Sequence, residues 1–175
     1  MQGSVKQWNY IRHEVLVSAA SNVIFNGILA WLLLNGGPNL GWSGENSFTV
    51  DIIATGLLLP LIVALIVIPL QRNKLKKSAL QPIDLGASST LQALSNRFPA
   101  SATKSALVFG LIGLIGIAPL TLLGFYVIGI EEVSPLGYAI FKGIWTGLMA
   151  GILVIPMVLI ALRNQHASNL SSCKD

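Results

Sequence analysis

Two oppositely charged residues, Asp51 and Lys142, stand at the edges of long apolar stretches, 91 positions apart. Each comes four residues before a Thr-Gly pair, Thr55-Gly56 and Thr146-Gly147. Paired ionisable groups in a membrane mark a gate, a counter-ion, or a proton or cation site. Each charge also has an ordinary use. Asp51 in a first helical turn suits the positive end of the helix dipole, and Lys142 can stretch outward toward Glu131 and Glu132.

A second constellation lies near the N-terminus, where Glu14, Ser18, Ser21, Asn22 and Asn26 recur in steps of three and four and so share one helical face. Lipid offers such groups no hydrogen-bond partners, so a polar stripe must face protein or water. It either lines a polar path or joins helices by hydrogen bonds averaging only ~0.6 kcal/mol each. Asn22 and Asn26 carry most of the information, because an unpartnered amide at mid-membrane is costly.

Other motifs are weaker. Gly143, Gly147 and Gly151 repeat every four residues, a small-residue track that lets a second helix come close; Gly110, Gly113 and Gly116 form a looser version. The track is the candidate surface for packing, either within the chain or between copies. Pro60, Pro69, Pro119 and Pro156 interrupt apolar runs and should kink them. His13 and His166 lie at span boundaries without metal-ligand spacing, and the single Cys173 excludes an intramolecular disulfide. There is no nucleophile elbow, HExxH or phosphate-binding glycine loop, so neither an enzyme nor a cofactor or metal is expected.

The elements that must position these residues follow from composition. At 53% hydrophobic and 10% charged over 175 residues, the chain is too apolar for an ordinary soluble domain. Four runs reach the ~20 residues needed to cross a bilayer as helix. They cover about residues 13–35, 49–70, 105–130 and 137–162, with a polar connector over 71–104. The expected fold is an all-α integral membrane domain of four transmembrane helices.

Residues 51–73 align without a gap on residues 142–164, from Ile53 on Ile144 to Arg72-Asn73 on Arg163-Asn164. Two tandem helical hairpins, entering from the same side as a parallel repeat, are therefore expected. Ten of the 11 Lys and Arg residues fall on the side of the termini and the connector. The exception is Lys142. By the positive-inside rule both termini should be cytoplasmic, and the +4 net charge reflects topology instead of nucleic-acid binding. Within the connector, Leu91, Leu94 and Phe98 are spaced for one face of a short surface helix.

The expected location is a bacterial inner (plasma) membrane, with the lipid bilayer as first partner and a homo-oligomer or a membrane partner protein as a second. Two functions remain. One is a small permease-like or channel-like protein moving an ion or small polar solute along the first-span stripe. The other is a non-transporting accessory or assembly protein whose polar and glycine faces only pack helices.

Overall fold

The structure, a computed structural model, describes residues 2–77 and 97–163. Leu91, Leu94, His166 and Cys173 lie outside the described residues.

The chain runs α1 (Gln2–Leu34), β1 (Leu40–Gly41), α2 (Phe48–Lys76), α3 (Ala102–Ile112), a π-helical segment (Gly113–Ile117), α4 (Ala118–Ile128), β2 (Glu132–Val133) and α5 (Pro135–Leu162). α3, the π segment and α4 make one continuous span, so four helical rods of 27 to 29 residues are long and apolar enough to cross a membrane. The first of them, Trp8–Leu34, begins before the boundary expected at residue 13. α2 likewise continues to Lys76, six residues into the expected connector.

Local chemistry sets the ends. Ser47 caps α2 by accepting from the Val50 amide at 3.4 Å. Ser134 caps α5, and Pro135 takes the first helical position, where its missing N–H costs nothing. Gly129 closes α4 in the left-handed region at φ 75°. The π segment precedes Pro119, which has no N–H to give the Ile115 carbonyl. The helix widens there, and the Ala118 amide reaches back to Gly113.

Packing order differs from chain order. α1 packs on α5, α5 on α2, and α2 on α3 through α4, while α1 and α2 are not extensively packed on each other. α5 is therefore the central helix, with Met157, Val158 and Ile160 fully buried. Between it, α2 and α3 sits a core of Ala64, Ile68, Phe109 and Met157. In lipid such contacts gain dispersion energy and not desolvation, so closeness of fit decides stability. The glycines provide the fit. A β-carbon on Gly147 would lie 2.9 Å from the Ala19 carbonyl oxygen, and one on Gly143 2.9 Å from that of Val23. The glycine track is thus filled by α1 of the same chain.

The two short strands tie the loops at one end, the loop end, pairing antiparallel as Leu40 with Val133 and Gly41 with Glu132. The Trp42 indole donates to the Ile130 carbonyl at 2.8 Å across the same join. Beneath it, Phe48, Phe125 and Phe141 pack edge to face at 5.3 and 4.8 Å. At the opposite end, the connector end, Ile11 of α1 is buried with Val158, Leu159 and Leu162 of α5. Phe98 stacks on Phe109 at 5.0 Å, and the Arg163 guanidinium donates to the Phe98 carbonyl at 2.9 Å.

Candidate functional site

Asp51 and Lys142 meet at the loop end. One turn into α2, the Asp51 carboxylate faces α5, and the Lys142 ammonium donates to its two oxygens at 2.6 and 2.7 Å. Tyr138, one turn before Lys142 on α5, donates its hydroxyl to Asp51 Oδ2 at 2.6 Å. The ion pair is half-enclosed: the Lys142 side chain is 14% exposed and that of Asp51 36%. Lys142 does not reach out to Glu131 or Glu132. A bidentate partner within the protein serves the ammonium better than a distant, solvated carboxylate.

The pair floors a cavity of about 360 Å³. Ala30 and Leu33 of α1 wall one side, Val50 and Ala54 of α2 the other, and Glu45 and Asn46 stand on the intervening loop. Such a space opens because α1 and α2 both lean on α5 and not on each other.

A second network closes the connector end between α1 and α2. Lys74 donates to Glu14 Oε1 at 3.0 Å and to the Tyr10 hydroxyl at 3.2 Å. Its ammonium also lies 5.6 Å from the centre of the Tyr10 ring, within cation–π range. The Tyr10 hydroxyl in turn donates to the side-chain carbonyl of Gln71, a fully buried residue. Both networks have the same composition, a carboxylate, a lysine and a tyrosine hydroxyl.

Between them on α1 lie the remaining stripe residues. Ser18, Asn22 and Asn26 are half-buried, whereas Ser21 is exposed on the outer side of the helix. The Asn22 amide donates to the Ser18 carbonyl at 2.8 Å. That of Asn26 donates to the Asn22 carbonyl at 3.1 Å and to its side-chain oxygen at 3.2 Å. Among the described residues, neither amide side chain hydrogen-bonds to another helix. The nearest crossing contact is the Thr146 hydroxyl, 3.3 Å from the Asn22 backbone carbonyl and closer to its own Lys142 carbonyl at 2.7 Å.

Sequence reasoning missed three participants. They are Tyr138, Tyr10 and Lys74, the last counted only among the basic residues that set orientation. A usable signal was present: each tyrosine stands four residues before a charged residue, Tyr10 before Glu14 and Tyr138 before Lys142, so each pair shares a helical face. Among the described residues no group of His, Cys, Asp or Glu is placed to hold a metal ion.

Among the described residues, four helices long and apolar enough to cross a membrane, with their charges paired or near the ends, make this a multi-pass membrane protein. No family model matches the chain, and no curated protein or solved structure is similar to it at a significant level.

Proposed function

We propose that the protein is a small permease-like or channel-like membrane protein, and that an ion or small polar solute moves between α1 and α2 along the stripe of Glu14, Ser18, Asn22 and Asn26. The observation that carries this is how the α1 amides are satisfied. Asn22 and Asn26 bond along their own helix and tie α1 to no neighbour through their side chains. As helix glue they would be wasted; as a lining they keep unused oxygen lone pairs for a hydrated solute. The Asp51–Lys142–Tyr138 and Glu14–Lys74–Tyr10 networks then act as closures at opposite ends of the path. Gln71 adds a fully buried amide next to the inner closure.

Two like-oriented hairpins form the frame of this reading. α1 lies against α5 as the α3–α4 span lies against α2, and the glycine of each Thr-Gly pair takes up a neighbour's backbone. Gly147 meets Ala19 and Val23, and Gly56 meets Gly113 and Ala118. With Lys74, Lys76, Lys77 and Lys104 at the connector end, that end faces the cytoplasm of a bacterial inner membrane.

Single cysteines at positions 18, 22 and 26, in a Cys173→Ser background, test the path. Modification by aqueous thiol reagents in intact membranes, together with solute flux in proteoliposomes, is the expected result. Protection of all three positions alongside absent flux favours the accessory or assembly reading.

A further inference from the structure

The loop-end cavity holds the Asp51–Lys142 ion pair, in which each charge has the other as its charged partner. Both Asp51 oxygens are taken, by Lys142 and Tyr138, and Lys142 is mostly enclosed. A simple cation that binds Asp51 must detach Lys142 and leave its ammonium unpaired in a poorly hydrated site. An anion that binds Lys142 strands the Asp51 carboxylate in the same way. Breaking a half-buried pair from one side is the expensive operation, because the abandoned charge keeps its desolvation cost without its partner. A ligand carrying both charges avoids this. It exchanges one internal ion pair for two.

We propose that this cavity binds a small zwitterion, with an ammonium and a carboxylate a few bonds apart, and that the Asp51–Lys142 pair is the charge filter selecting it. This rests on the permease reading for the site's role, though not for the binding itself. The surroundings assign an orientation. Asp51 is the more exposed partner, and Glu45 lines the same cavity, so the ligand ammonium is drawn to Asp51 at the open side. Its carboxylate goes to the deeper Lys142, where the released Tyr138 hydroxyl supplies a second donor. Ala30, Leu33 and Val50 give the intervening carbons an apolar wall, and about 360 Å³ accommodates a small aliphatic molecule.

The test uses three probes of nearly equal size on the full-length protein purified in detergent: γ-aminobutyrate, n-butylamine and butyrate, titrated by calorimetry at neutral pH and moderate salt. The zwitterion is expected to bind at least about tenfold more tightly than either singly charged probe. Lys142→Met should shift preference toward butylamine, and Asp51→Asn toward butyrate. The charge-reversed D51K/K142D protein should recover γ-aminobutyrate. Equal binding of the three probes, or no binding of γ-aminobutyrate by the unsubstituted protein, overturns the proposal even if a variant fails to fold. Selective binding in detergent without flux in proteoliposomes leaves this site standing and removes the permease reading. Flux without zwitterion selectivity does the reverse.

Discussion

Gly56 and Gly113 cross with their backbones in contact: a β-carbon built on Gly113 would fall within the contact shell of the Gly56 carbonyl oxygen. The crossing holds α2 against the third span where that span changes to π winding, and Pro60 closes it from the other side. Gly113→Ala should therefore lower stability by ~1–3 kcal/mol, as overpacking against backbone does. Gly116→Ala, three residues on and facing open space, is the control and should be nearly neutral. Unfolding titrations in mixed detergent measure both; equal effects would contradict the crossing.

The α1–α5 contact makes a covalent prediction. The Ala19 β-carbon lies 3.3 Å from where one on Gly151 would stand, close to the ~3.8 Å typical of a disulfide. In a Cys173→Ser background, Ala19→Cys with Gly151→Cys should oxidise to an intramolecular bridge that runs as monomer on a non-reducing gel. A dimer band would place the glycine track between copies instead.

The connector-end network predicts a coupling. Glu14 is 15% exposed and Lys74 36%, so the pair is only partly screened. A double-mutant cycle of Glu14→Gln and Lys74→Met should give a coupling energy of about 1 kcal/mol, the upper range for such pairs. Additive single effects would mean that the two side chains do not meet in the membrane.

Across the loop end, Trp42→Phe removes the donor to the Ile130 carbonyl but keeps an aromatic ring against Phe48, now at 5.0 Å. The expected loss is ~1 kcal/mol, the net value of one hydrogen bond. Trp42→Ala should cost more, since the ring contact goes as well. An unchanged melting point for Trp42→Phe would show that the indole N–H contributes nothing, and equal shifts for the two substitutions that the ring contact does not.

Much of the architecture could be read in the chain itself. Apolar run length decides whether a helix can cross lipid, because every backbone group there must be bonded within its own segment. Hence the four spans were legible to within a few residues at three of their starts. The first was not, since Trp8 to Arg12 is polar in composition and its helical course depends on Ile11 packing against α5. The stripe on α1 was legible from periodicity alone, apart from Ser21, which lies just off the enclosed face.

What periodicity cannot supply is partner choice. Lys142 had two sets of carboxylates within reach of its stem, and only the approach of α2 to α5 selects Asp51 over Glu131 and Glu132. The glycine track specifies close approach to some helix, but that helix is α1 because chain order and packing order differ. Covalent composition determined the medium and the number of crossings, through energies that depend on each segment alone. Tertiary structure decided the two tyrosine-supported ion pairs and the cavity between α1 and α2, because those depend on distances between segments far apart in the chain.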